Sequence, residues 1–234
     1  MTRPAFRYYD LFMASFVVVL LCSNMIGPGK VVALTLAGIP LLFNAGNLFF
    51  PISYIFGDVL TEVYGFAAAR RVIWAGFGAL TFAALMSNVV VGLPPSPDEP
   101  FNAVLQPALE VVFGSPWRIV AGSMLAFWIG DFANSFVLAK MKLAAQGRNM
   151  AARFVASTVV GQAVDSVVFY PIAFAGLWST DVLLRAMAFN WVFKVALEVA
   201  LTPVSTRFVG WVKRTEGVDV FDDGTDFNPF RLDG

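Results

Sequence analysis

Long apolar stretches alternate with short polar ones along this chain, and the apolar stretches have membrane length. A hydrocarbon layer about 30 Å thick takes roughly 20 helical residues to cross. Six stretches meet that length: 9–27, 42–63, 71–92, 117–140, 153–177 and 182–209. The pattern predicts an all-α fold, a polytopic membrane bundle of six transmembrane helices within residues 1–214. Residues 31–45 are also apolar but interrupted by Gly38 and Pro40. This predicts a short extended or re-entrant piece whose backbone is shielded from lipid by protein. The loop 93–116 opens with a proline-rich connector, after which Phe101, Leu105, Leu109 and Val112 recur at helical spacing. A short helix lying on the membrane surface is expected there. Beyond Arg214 the chain turns acidic, and residues 215–234 read as a solvated, poorly ordered tail.

Composition says which solvent the helices meet. Hydrophobic residues make up 58% of the 234, and charged residues only 14%. A globule of this size cannot hide so much apolar surface, so lipid is the second solvent. Sixteen basic and sixteen acidic residues cancel, leaving no basic footprint for nucleic acid. Cys22 is the single cysteine and histidine is absent, which excludes an internal disulfide, thiol-pair metal sites and histidine-based catalysis. No phosphate-binding G-x-x-x-x-G-K-[ST] run occurs, and Gly27, Gly29 and Gly38 read as turn residues; no cofactor is expected. Arg3 and Arg7 precede the first apolar stretch as in a signal peptide, but no small-x-small cleavage pattern follows, so an uncleaved helix is expected. With six spans, twelve basic residues fall on the side of the N-terminus and only Lys30, Arg118 and Arg185 on the other. Basic residues are retained in the cytoplasm, so both termini are placed there.

The polar residues inside the spans carry the chemistry. A charge at mid-membrane costs about 2.5–3.5 kcal/mol on insertion scales, so each must face other helices or a wet cavity. In the sixth span Asn190, Lys194 and Glu198 recur at i, i+4, i+8 on one face. The fifth offers Thr158, Gln162 and Asp165, the fourth Asp131 and Asn134, and the second Tyr54, Asp58, Thr61 and Glu62. Asn24 closes the first. The third is almost wholly apolar and is expected to face lipid. A rise of about 1.5 Å per residue makes the stripes converge on a cavity extending from mid-membrane toward the cytoplasm. Lys194, the only cation away from the ends of a span, is expected to pair with Asp165 or Glu198. Phe49, Phe50, Trp128 and Phe169 are available to stack on a flat ring.

The run Asp58-Val-Leu-Thr-Glu62-Val-Tyr-Gly65, followed by Arg70-Arg71, resembles the signature of the queuosine precursor transporter family, earlier grouped with vitamin uptake transporters. Ser23-Asn24, Gly161-Gln162 with Asp165, and Phe193-Lys194 with Pro203 extend the resemblance over roughly residues 8–214. It implies a bacterial inner-membrane importer of the purine-like bases 7-cyano-7-deazaguanine and 7-aminomethyl-7-deazaguanine. The expected binding set is Asn24, Asp58, Glu62, Asp131, Asn134, Gln162, Asp165, Lys194 and Glu198, with Glu198 or Glu62 titrating as solute moves. A homodimer is compatible with this reading. The rival, a substrate-binding subunit of an energy-coupling-factor importer, expects Ala-x-x-x-Ala on the first helix, where this chain has Ala14 followed by Val18. A membrane enzyme would need metal-binding or nucleophilic motifs that the chain lacks.

Overall fold

The computed structural model describes residues 6–25, 30–36, 39–114 and 117–231. Among them are seven helices: α1 Tyr9–Met25, α2 Phe50–Tyr64, α3 Phe66–Gly92, α4 Asn102–Phe113, α5 Trp117–Ala144, α6 Met150–Phe174 and α7 Thr180–Glu216. Between α1 and α2 lie two strands, β1 Val31–Leu36 and β2 Ile39–Asn44, and a 3-10 turn Ala45–Leu48. Three helices, α3, α5 and α6, are long and apolar enough to cross a membrane. Each of the six expected stretches overlaps a helix, with most boundaries shifted by a few residues. The second begins at Phe50, because residues 42–44 belong to β2, and the last runs on to Glu216.

The extended piece expected at 31–45 is an antiparallel hairpin, with Val31 opposite Asn44 and Leu36 opposite Ile39. Pairing the two strands satisfies the inward-facing backbone groups of both. Gly27, Gly29 and Gly38 lie outside the described residues. The helix expected in the long loop is α4. It buries none of its residues, and Gln106 ties it to α3 by donating to the carbonyl of Val91 at 3.0 Å.

Helices α5 and α6 share the most extensive contact in the fold, and glycine explains why. A Cβ at Gly161 would stand 2.7 Å from that of Asn134, and one at Gly130 would stand 3.1 Å from that of Asp165. Small residues let two membrane helices approach backbone to backbone. The expected lipid-facing character of α3 holds for its second half, which exposes Phe82, Leu85, Val89 and Val90. Its first half buries Val72 and Ile73 in the bundle.

Both chain ends gather at one end of the bundle. The Tyr64 hydroxyl donates to Glu216 at 2.5 Å, and Glu216 also accepts the backbone N–H groups of Arg7 and Tyr8. Beside them Phe12, Val59, Leu60, Val63, Phe154 and Val209 form the main apolar core. The acidic segment, expected to be solvated and poorly ordered, instead docks on this end. Both carboxylate oxygens of Asp222 accept the N–H of Phe66 at 3.0 Å, placing an anion at the N-terminus of α3. Gly65, between α2 and α3, has φ +84°, and a side chain there would meet Val220 at 2.8 Å. Arg70 donates to the carbonyls of Asp226 and Asn228, Trp74 donates to that of Pro229, and Lys140 lies 3.8 Å from the centre of the Phe227 ring. Of the tail's acids, Asp219 pairs with Lys142 and Lys213 at the ends of α5 and α7.

Charge and burial compete along this tail. Burial works to raise the Asp219 carboxyl, but hydrogen bonds from Lys142 and Lys213 outweigh it and hold the group below its ordinary range. Glu216 is likewise held low, by Tyr64, Arg7 and Tyr8 against the effect of burial. At Asp222 burial prevails and pushes the carboxyl up in spite of the Phe66 hydrogen bonds.

Candidate functional site

Between the helices lies a cavity of about 430 Å³, within the range of about 300–1,000 Å³ usual for small-molecule sites. Its lining comes from the late turns of α1 (Ser23, Asn24), the early turns of α2 (Ser53, Tyr54) and the first half of α5 (Ser123, Phe127, Asp131). The late part of α6 (Gln162, Asp165, Phe169, Tyr170, Phe174) and the first half of α7 (Asn190, Lys194) complete it. All of these segments lie away from the end where Tyr8, Tyr64 and Glu216 meet. The cavity therefore occupies the half of the bundle opposite both chain ends. The expected cavity reaches from mid-span toward the end where the termini lie; this one lies in the other half.

Lys194 donates to Asp165 at 2.8 Å, bridging α7 and α6, with the two side chains 7% and 20% exposed. Asp131 is within electrostatic reach of both. The i, i+4, i+8 spacing on α7 aims Asn190 and Lys194 into the cavity, and the close α5–α6 seam sets Asp131 beside Asp165. Ser123 donates to the amide oxygen of Asn24 at 2.8 Å, fixing α1 to α5 at the cavity wall. One aromatic wall is already ordered: Phe174 and Trp178 are stacked at 3.9 Å with planes 6° apart, and Phe169 and Tyr170 lie beside them.

A second chamber of about 20 Å³ adjoins the first and shares Ser53, Tyr54, Asp131 and Gln162 with it. Asp58, Asn134, Ser135 and Thr158 also line it. Such a volume holds about one water molecule. Buried here without a hydrogen-bond partner among the described residues are Oδ1 of Asn134, Oε1 of Gln162 and Oδ2 of Asp58.

The expected site residues thus divide. Asn24, Asp131, Gln162, Asp165 and Lys194 meet in the large cavity, while Asp58 and Asn134 line only the small chamber. Glu198 is fully buried one turn beyond Lys194 and lines neither space. Glu62 stands apart from both. Its Oε1 accepts Arg153 at 2.6 Å and Lys213 at 2.7 Å, with Lys142 at 3.9 Å, so it is the hub of a basic cluster under the docked tail. Trp128 packs between Trp74 and Phe230, outside the cavity.

Ser123, Tyr170 and Trp178 were not among the expected residues. Ser123 was within reach of the sequence, since Ser123, Phe127, Asp131 and Asn134 follow i, i+4, i+8, i+11 and mark one helix face. Trp178 follows the end of α6 and shows no periodicity that could have marked it.

Comparison with known proteins gives the family. Residues 44–208 match the family model described as "Putative vitamin uptake transporter", a region containing every lining residue named above except those of α1. A "Probable queuosine precursor transporter" of Bacillus subtilis (strain 168) is 32% identical over 160 residues, which is 68% of each chain. No solved structure matches. The chain belongs to the vitamin uptake transporter family and is a multi-pass membrane transporter.

Proposed function

We propose that the chain imports queuosine precursors, 7-cyano-7-deazaguanine and 7-aminomethyl-7-deazaguanine. In this reading it is a secondary carrier crossing the bacterial inner membrane six times, with both termini in the cytoplasm. The named activity of the Bacillus subtilis relative supports the solute class. The charge bias of the loops supports the orientation. A cavity in the half opposite the termini then faces the outside, where an importer collects its solute.

The observation that carries the reading is Asp131 set against the Lys194–Asp165 pair beneath an aromatic wall. A deazaguanine presents N1–H and an exocyclic amine side by side, and one carboxylate accepts both. Asp131 takes that edge, while Asp165 keeps Lys194 in place. The Lys194 ammonium or the Gln162 amide donates to the carbonyl oxygen O6. The flat ring lies against Phe169, Tyr170 or the Phe174–Trp178 stack. Analogues lacking the amine leave a buried carboxylate unpaired, which is the strongest basis for discrimination a pocket has.

Uptake of labelled 7-cyano-7-deazaguanine by cells expressing the chain tests this. Import is expected in the wild type and lost in Asp131→Asn. A strain unable to make the precursor, supplied with it at low concentration, should regain queuosine in its tRNA when it carries the chain. Undiminished uptake in Asp131→Asn would remove that residue from the site, and failure of both assays in the wild type would end the reading.

A further inference from the structure

Two carboxylates lie between the cavity and the basic cluster and belong to neither. Asp58 on α2 is 1% exposed and Glu198 on α7 is fully buried. Both oxygens of Glu198, and Oδ2 of Asp58, lack a hydrogen-bond partner among the described residues. The two groups are close enough to interact electrostatically.

Their charged and titratable surroundings can be followed helix by helix. On α2, Tyr54 lies one turn from Asp58 toward the cavity and interacts with Glu198, Asp131 and Asp165, while Glu62 lies one turn the other way. Helix α5 contributes Asp131 to the chamber wall beside Asp58. Helix α6 contributes Asp165, which is bound to Lys194 of α7. Further along, Arg153 of α6 and Lys213 of α7 are bound to Glu62. Helices α1 and α3 present only Phe16, Ala69, Val72 and Ile73 to the chamber. Lys194 is paired with Asp165, and Arg153 and Lys213 with Glu62; Lys194 also lies one turn from Glu198 on α7.

Two buried carboxylates within electrostatic reach of each other, neither in an ion pair among the described residues, are a strongly disfavoured arrangement when both are ionised. One proton removes a charge and supplies the donor that the orphaned oxygens lack. We propose that Asp58 and Glu198 form a proton-binding site, distinct from the solute cavity, through which solute entry is coupled to proton entry. This rests on the reading of the large cavity as the solute site.

The water-sized chamber gives the route. It joins Asp131 and Tyr54, at the cavity floor, to Asp58. A proton arriving from the cavity binds a carboxylate oxygen of the pair, and no other bond is made or broken. When the bundle opens toward the chain ends, the proton leaves to water on that side. The carboxylate left behind is then one turn from Glu62 and the cations that surround it.

The full chain in proteoliposomes tests the proposal with labelled 7-cyano-7-deazaguanine. Two readouts are compared: exchange of labelled for unlabelled base without a gradient, and accumulation driven by an acid exterior. With one proton per solute, one pH unit sustains at most about tenfold accumulation. Wild type is expected to show both activities. Glu198→Gln and Asp58→Asn are expected to keep exchange and lose accumulation. Wild type that exchanges but never accumulates, or Glu198→Gln that accumulates normally, overturns the proton site and leaves the solute reading standing. Wild type that does not exchange overturns the solute reading, and the coupling with it. If both variants misfold, the wild-type readouts still decide whether transport is proton-coupled, and wild type that never accumulates overturns the site.

Discussion

Lys194 and Asp165, 29 residues apart, meet at 2.8 Å across two helices at the wall of the large cavity. Removing one member of this largely buried pair leaves a charge without compensation. Lys194→Met is therefore expected to lower the thermal unfolding midpoint in detergent and reduce uptake at least tenfold. The double variant Asp165→Asn/Lys194→Met should recover the midpoint without the uptake. A Lys194→Met protein as stable and active as wild type would show that the pair has neither role.

Glu62 is expected to behave in the opposite way. It shares the i, i+4 stripe with Asp58, yet its partners are Arg153, Lys213 and Lys142. Glu62→Gln leaves buried cations facing one another, so folded yield and unfolding midpoint should fall sharply. The KM for solute in the surviving protein should stay within about twofold of wild type, since no solute contact is lost. A tenfold rise in KM at unchanged stability would place Glu62 in the binding site after all.

The seam between α5 and α6 tolerates no added volume at Gly161. Gly161→Ala brings a methyl to 2.7 Å from the Cβ of Asn134, and overpacking of this kind costs about 1–3 kcal/mol. The unfolding midpoint should drop, and uptake should drop with it, because the same seam sets the spacing of Asp131 and Asp165. Gly78→Ala, inside α3 where no atom lies within 4 Å, is the control and should lower neither.

Acid should release the tail. Asp219 and Glu216 are held below their ordinary values, so the stability they contribute is present above about pH 4 and is lost as pH falls through their depressed values. Asp222 runs the other way: its raised carboxyl favours docking in acid and loses that contribution as pH rises. Two groups bound by several donors outweigh one, so undocking is expected below about pH 4. Hydrogen-exchange protection of the Phe66 and Val220 amides, which bond to Asp222 and to the Val63 carbonyl, reports it directly. Protection that persists at pH 3 would count against the assignment.

What the sequence disclosed followed period and length. Apolar runs located the helices, and the i, i+4 stripe of Asn190 and Lys194 pointed into the cavity because spacing along one helix fixes its face. Relations between helices were hidden. Asp58 and Glu62 look equivalent on one stripe, yet one turn separates a water-sized chamber from a basic cluster. The partners that make the difference lie 80–151 residues away in the chain. Arg153 and Lys213 read as topology signals in the sequence, and they serve also as the counter-charge of a buried acid. The tail was legible as acidic, but the basic helix ends awaiting it could be recognised only once the helices were assembled.

The glycine contacts between α5 and α6 divide the transporter into mechanical units. In the proposed carrier, two helices joined that closely would travel as a single blade, carrying Asp131, Gln162 and Asp165 together. Lys194 is on a different helix, so a rocking motion that parts α7 from this blade has to break the Lys194–Asp165 contact. A reversible cross-link engineered there should freeze the cycle, whereas one between α5 and α6 should pass unnoticed.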